Sequence, residues 1–280
     1  MSGRFSAFSF VDRITEVAPG VRVRGTFHVP AGVRAFPAAL LAEAVGQLAA
    51  WASMAKLGFR LRPVAGLARE TRFLGAARPG DTLVLEADLE SCTDADVAYA
   101  GRATVDGEPV IELDQCLGPM LPAEDFDAPE WLRRDFDLLC GPGAPSDRFA
   151  GLPDLDLERT ESVAGERVKA LLRVPESAAF FEDHFPRRPV FPATLLLDSQ
   201  IRLAVGLARE AVGPAAGAEL AAARVLDVKV RAFIPPGELL ELSAERVQAE
   251  SDLYAARLTA RENGKRIATA RVEIGTRRRA

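Results

Sequence analysis

Between Arg13 and Pro30 the sequence RITEVAPGVRVRGTFHVP alternates apolar and polar residues on either side of Pro19-Gly20. Alternation of period two marks a strand with one buried face, and Pro-Gly is turn chemistry, so two antiparallel strands are expected. From Phe36 to about Leu57 the pattern changes. Leu40, Leu41, Ala44, Val45, Leu48 and Trp51 leave most faces of a helix apolar, and a helix apolar all round is buried rather than laid on a surface. Alternation resumes in FLGAARPGDTLVLEADL and closes with a hairpin turning at Asp106-Gly107, a pair suited to a type I′ turn. A strongly twisted antiparallel sheet wrapped around one helix would bury this set, an α+β arrangement.

The whole pattern then repeats. RTESVAGERVKALLRVP (Arg159 to Pro175) resembles the first strand pair, with Ala164-Gly165 at its turn. FPATLLLDSQIRL (Phe191 to Leu203) matches FPAALLAEAVGQL (Phe36 to Leu48) at an offset of 155 positions, which sets Glu43 on Asp198. AFIPPGELLELSAERV matches the later strands, and Asn263-Gly264 supplies the second hairpin turn. Each half therefore predicts strand, strand, long helix, then three or four strands. The Pro-, Gly- and Asp-rich stretch from Gly118 to about Pro153 reads as a linker, with Trp131, Phe136, Leu138 and Leu139 packing down at least in part. The expected division is 1–118, a linker 119–153, and 154–280, with Arg277-Arg278-Arg279 a solvated tail.

Composition narrows the function. Of 280 residues, 48% are hydrophobic and 27% charged, which excludes a disordered or collagen-like chain. A formal net charge of −5 argues against a general nucleic-acid binder. No run of 18 apolar residues occurs, so no membrane span is expected. MSGRFSAFSFVDR lacks the unbroken apolar core of a signal peptide, so the expected location is cytoplasmic. Cys92, Cys116 and Cys140 are far apart, with no CxxC pair. They argue against a disulfide framework or zinc site and are expected as buried small residues. There is no P-loop and no GxGxxG, hence no nucleotide or flavin signal. Imidazole chemistry has two candidates, His28 and His184.

The copies differ in one place. Between the shared Val-Pro and the shared Phe-Pro, the second copy holds ESAAFFEDHFPRRPV and the first only AGVRA, ten residues fewer. Phe180-Phe181-x-x-His184-Phe185-Pro186-x-x-Pro189-x-Phe191-Pro192, with an acid fourteen residues after the histidine, resembles the loop of the FabA/FabZ 3-hydroxyacyl-ACP dehydratases. Phe8-x-Phe10-Val11-Asp12-Arg13 resembles that family's opening strand. The likeness runs over nearly the whole chain, twice, apart from the linker. It implies the hot-dog fold, a sheet wrapped round a central helix, and for two copies a double hot-dog: a pseudo-dimer fused in one chain, or a higher assembly of it.

In that family each site is composite, the histidine from one hot-dog and the carboxylate from its neighbour. The resemblance thus implies that His184 faces Glu43, with Gln47 one helical turn on, on the same face. The other possible site has lost its histidine to the deletion and its glutamine to Arg202, leaving Asp198 a remnant paired with Arg202. The longer alignment sets His28 opposite Arg173 on a strand, a structural place.

The activity implied is dehydration of a (3R)-3-hydroxyacyl thioester to the trans-2-enoyl thioester, in fatty-acid, polyketide or related lipid synthesis. The reaction is redox-neutral, so no metal or other cofactor is expected, and the substrate would ride on phosphopantetheine of acyl carrier protein or coenzyme A. His184 suits the base. Glu43 suits the acid if a buried apolar face raises its pKa. A backbone amide near Pro192-Ala193, at the second helix start, suits the thioester oxyanion. The family usually has glycine where Ala193 stands, so a methyl group crowds the thioester. Ala193, Gln47, Phe185, Phe191 and Pro192 are the candidate substrate contacts, and Arg187 and Arg188 the candidate docking charges for an acidic carrier. Plain solvated loop charges are the alternative for that pair. For the chain as a whole the alternatives are a hot-dog thioesterase and a non-catalytic acyl-binding subunit.

Overall fold

The structure is a computed structural model that describes residues 5, 7–145, 148–212, 219–248 and 253–277. Its first half runs β1 (Arg13–Ala18), β2 (Arg22–His28), α1 (Ala38–Lys56), β3 (Leu61–Pro63), β4 (Leu67–Phe73), β5 (Thr82–Cys92), β6 (Asp96–Val105) and β7 (Glu108–Pro122). A 3-10 turn (Ala123–Asp125) and α2 (Pro129–Cys140) follow. The second half runs β8 (Leu157–Val163), β9 (Arg167–Arg173), α3 (Phe180–Asp183), α4 (Ala193–Val212), β10 (Glu219–Val230), β11 (Leu239–Val247), β12 (Tyr254–Glu262) and β13 (Lys265–Arg277).

The strands behave as their alternation requires. In β5, Leu83, Leu85 and Ala87 are buried while their neighbours face out. Asp106-Gly107 and Asn263-Gly264 all take positive φ, between 49° and 85°, the left-handed pair that a type I′ hairpin demands. One antiparallel sheet runs in the order β1-β2-β5-β6-β7-β4-β10-β13-β12-β11-β9-β8, with β3 on the side of β7. That order reads the same from either end once the copies are matched. Its middle is the β4–β10 pair, where Arg72 faces Arg224 and Leu67 faces Lys229. The halves meet on equivalent strands, as a two-fold, self-complementary interface requires.

Each half of the sheet wraps one helix. In α1, Leu40, Leu41, Ala44, Val45 and Leu48 have no exposure, and in α4 Leu195, Ala204, Leu207 and Ala208 are equally sealed. The two helices pack on each other across the pseudo-two-fold. This is the double hot-dog. By length and mean hydropathy (1.3) α1 is apolar enough to cross a membrane, which the expectation of no span did not anticipate. It is instead the core helix of the first half, contacted by β2, β5, β6 and β7.

The structure corrects several expectations. Phe8, Phe10 and Val11 are buried but precede the first strand, which starts only at Arg13. The stretch expected to be linker begins within β7 and carries α2, and its Leu139, Phe126 and Phe149 are core residues. Trp131, expected to pack down, is 42% exposed. Cys140, expected as buried, is exposed, whereas Cys92 and Cys116 are buried. In the basic tail, 278–280 lie outside the described residues.

Candidate active site

The long loop between β9 and α4 folds on itself around His184. Its backbone N–H donates to Phe180 O of α3 at 2.9 Å, and its carbonyl accepts from Val190 N–H at 3.0 Å. The ring Nδ1 lies 3.0 Å from Val190 O. A carbonyl only accepts, so Nδ1 carries the proton and the neutral ring keeps its lone pair on Nε2. Phe185 stacks on the imidazole at 4.0 Å and Phe8 meets its edge at 5.5 Å. Burial holds the His184 pKa below the ordinary imidazole value. The Glu43 charge and the Val190 carbonyl oppose that shift, and the Arg62 cation adds to it. The ring is therefore neutral at neutral pH.

Glu43 is half-buried on α1 and held at both oxygens. Oε1 accepts from Gln47 Nε2 at 2.9 Å, one turn along the helix. Oε2 accepts from the Thr194 hydroxyl of α4 at 2.7 Å, a contact that crosses from one half to the other. Gln47 does more than touch the acid. Its Oε1 accepts Phe10 N–H at 2.8 Å and its Nε2 donates to Phe8 O at 2.9 Å. The amide thus bonds the backbone of Phe8 and Phe10, which no strand of the sheet pairs.

The same segment is fastened from two other sides. Asp183 Oδ2 accepts Ala7 N–H and Phe8 N–H at 2.8 and 2.7 Å. Arg148, from the inter-repeat segment, donates to Ser9 O and Val11 O and pairs with Asp12 at 2.6 Å. The segment roofs one cavity of about 830 Å³, shared by Glu43, Gln47, His184, Phe185, Ala193 and Thr194. Tyr99 also lines it. Its phenol is held well above the usual range, chiefly by burial.

The first turn of α4 opens on that cavity at Ala193 and Thr194. Helix-start amides lack intrahelical partners and gather the positive end of the dipole. Leu195 and Leu196 N–H instead turn back to Pro192 O.

The structure brings His184, Glu43, Gln47, Phe185 and Ala193 to one cavity and leaves other candidates outside it. Phe191 is a core residue, packed 6.0 Å from Phe180 with its N–H on Ile234 O. Pro192 is buried and does not line the cavity. Both set the start of α4 rather than touch its contents. Arg187 and Arg188 are exposed, but Arg187 donates to Glu124 O and Arg188 lies 4.3 Å over the Phe233 ring. Asp198 lies off the cavity, 3.7 Å from Arg202. Burial raises its pKa against the pull of that guanidinium. His28 ends β2, away from the cavity, with Nδ1 3.2 Å from the Thr82 hydroxyl.

Thr194, Asp183, Arg62 and Arg148 were not foreseen. The signal for Thr194 was present: within the shared Phe-Pro-Ala the next residue is Ala39 in one copy and Thr194 in the other. Among the described residues, no group of three or more His, Cys, Asp or Glu is placed to hold a metal.

A family model described as ApeI-like: ApeI dehydratase matches residues 160–270. The 3-hydroxyacyl-[acyl-carrier-protein] dehydratase FabZ of Bacillus subtilis (strain 168) is 36% identical over 119 residues, 38% of this chain and 84% of that protein. The protein of the same name from Granulibacter bethesdensis is 33% identical over 109 residues, 39% of this chain. This chain spans just under two thirds of several such relatives: 64%, 62% and 64% of those from G. bethesdensis, Rhizorhabdus wittichii and Novosphingobium aromaticivorans. Among solved structures, the dehydratase domain of PpsC from Mycobacterium tuberculosis, in complex with C12:1-CoA, superposes with a TM-score of 0.53 at 14% identity, over 97% of this chain and all of that one. The tesB protein of Mycobacterium avium subs paratuberculosis gives 0.60 at 15% identity, over 95% and 96%. At such identities these two likenesses speak for the fold.

Proposed function

The chain belongs to the FabA/FabZ-type 3-hydroxyacyl-[acyl-carrier-protein] dehydratases, and on that premise we propose that one composite site per chain removes water from a (3R)-3-hydroxyacyl thioester. Residues 1–118 act as the hot-dog that supplies Glu43, and 154–280 as the one that supplies His184, bridged by 119–153. The observation that carries this reading is the shared cavity: His184 of one half and Glu43 of the other line it together, beside the start of α4.

In this mechanism Nε2 of His184 takes a proton from C2 of the acyl chain. The electron pair forms the C2–C3 double bond as the C3–O bond breaks. Glu43 gives a proton to the departing hydroxyl, which leaves as water, and the trans-2-enoyl thioester remains. The amides of Ala193 and Thr194 face the thioester oxygen as charge grows there. A threonine hydroxyl can donate or accept, so its bond to Glu43 survives both protonation forms of the acid. Gln47 and Thr194 position Glu43, Phe185 and Val190 position His184, and Asp183 holds the roof. The substrate rides on acyl carrier protein or coenzyme A, with Arg187 and Arg188 at the carrier's side, in fatty-acid, polyketide or related lipid synthesis.

The test is interconversion of 3-hydroxyacyl and trans-2-enoyl thioesters by the native chain, on both carriers, followed by the enoyl absorbance. The expected result is turnover in both directions, lost in His184→Ala. Release of free acid and thiol instead would move the assignment to a thioesterase. No turnover on either carrier would leave an acyl-binding subunit.

A further inference from the structure

The cavity does not end at the reacting groups. It follows α1 past Gly46, Ala49 and Ala50 and reaches Met54. These small residues recur at helical spacing from Glu43, so they open a slot along one face of α1. The slot is narrow: a side chain at Gly46 would meet the Tyr99 hydroxyl at 3.1 Å. At the same offset α4 carries Ile201, Ala204 and Val205, and none of them lines the cavity.

The end near Met54 is lined from outside the hot-dog pattern. Leu132 of α2 lines the cavity and packs with Met54 in a hydrophobic cluster separate from the main core. Phe59 and Ala123 complete that cluster. Phe136, one turn after Leu132, lies 5.5 Å from Phe59 and 6.4 Å from Trp51. The helix that borders the slot there therefore belongs to the inter-repeat segment, which neither copy of the repeat contains.

We propose that Leu132 of α2 is the end wall of the acyl channel and sets the longest chain the site accepts. This deepens the dehydratase reading and rests on it. Glu43 and Met54 are eleven positions apart on one helix, which at ~1.5 Å per residue is roughly 16 Å. An extended hydrocarbon advances a little under its ~1.5 Å bond length per bond, so the slot takes medium-chain substrates of about a dozen carbons. One methylene in a hydrophobic pocket is worth roughly 10–200-fold in discrimination, so a filled or opened end wall is readily measured.

The experiment compares the full chain with Leu132→Trp and Leu132→Ala on C4, C12 and C16 3-hydroxyacyl-CoA, reading ratios of kcat/KM within each preparation. Leu132→Trp is expected to lower the C12 to C4 ratio at least ~10-fold, and Leu132→Ala to raise the C16 to C12 ratio by a similar factor. Should Leu132→Trp lose all turnover by failing to fold, Leu132→Ala decides alone. Unmoved ratios overturn the proposal while leaving the dehydratase reading intact. Should the native chain turn over nothing, binding of saturated acyl-CoA from C4 to C16 separates the two claims. An optimum near C12 that lengthens in Leu132→Ala keeps the end wall and removes the dehydratase. An affinity indifferent to chain length or to Leu132 removes both.

Discussion

The same places on the two core helices carry different chemistry. At an offset of 155 positions α1 reads Ala39, Glu43, Gly46 and Gln47, where α4 reads Thr194, Asp198, Ile201 and Arg202. One duty survives in both. Gln47 fastens the segment ahead of β1 through Phe8 O, and Arg202 fastens the segment ahead of β8 through Leu155 O. The price of the exchange falls on the acid. Glu43 lies beside a neutral amide, whereas Asp198 lies 3.7 Å from a guanidinium. Across the pseudo-two-fold Thr194 reaches Glu43, but the matching Ala39 has no hydroxyl to offer Asp198. Together with the missing loop histidine, these differences fall on the side that the proposed mechanism leaves idle.

That contrast can be broken in several ways. The largest effect is expected from His184→Ala, which should lower kcat/KM by about 10²–10⁴. His28→Ala, in the half that lacks the loop, should leave turnover near the native value. Equal losses would mean that the histidines are not distinguished by their loops.

Next comes the clamp on the roof. Arg148 is 6% exposed and Asp12 19%. Removing Arg148 leaves Asp12 its His28 N–H donor, so Arg148→Met should cost about 1.5–3 kcal/mol in denaturant unfolding. Arg202→Met, on the half-exposed counterpart, should cost clearly less. A reversed order would contradict the assignment of the tighter clamp to the half that holds the acid.

Thr194→Val keeps the shape and removes the hydroxyl. A side-chain hydrogen bond contributes about 0.5–1.5 kcal/mol, so kcat should fall roughly 2- to 10-fold, with KM little changed and Thr194→Ser largely restoring it. Ala39→Thr should give no gain. If valine matched serine, the hydroxyl would have no part in positioning Glu43.

The smallest expected effect is on pH dependence. In the proposed mechanism neutral His184 is the base, so activity should be lost as pH falls through its pKa, which burial holds below the ordinary value. Arg62 pushes in the same direction. Arg62→Met removes that cation, raises the His184 pKa, and should move the acidic limb of kcat/KM to higher pH. A limb that stayed, or moved lower, would place the imidazole outside the field of Arg62.

Much of this was legible in the residues. The repeat, a long apolar helix in each half and both hairpin turns follow from spacing and period, whereas the pairing of His184 with Glu43 is what the family resemblance implies. What was hidden has physical reasons. Phe8 to Val11 alternates like a strand, yet its hydrogen-bonding partner is a side chain, Gln47, rather than a ladder. Pro and Gly around α2 suggested a linker, although Pro129 occupies the first turn of the helix, where a missing N–H costs nothing. Phe191 and Pro192 belong to the same motif as His184, but the turn into α4 points them at the core. Asp183, next to the histidine in sequence, binds a segment some 175 residues away, which no local pattern reveals.

The claim that one half keeps the chemistry is tested most directly by turnover of Glu43→Gln and Asp198→Asn side by side with the native chain. Near-complete loss in Glu43→Gln with native-like rates in Asp198→Asn is the predicted result. Comparable loss in both, or loss in Asp198→Asn alone, would contradict a single His184–Glu43 site.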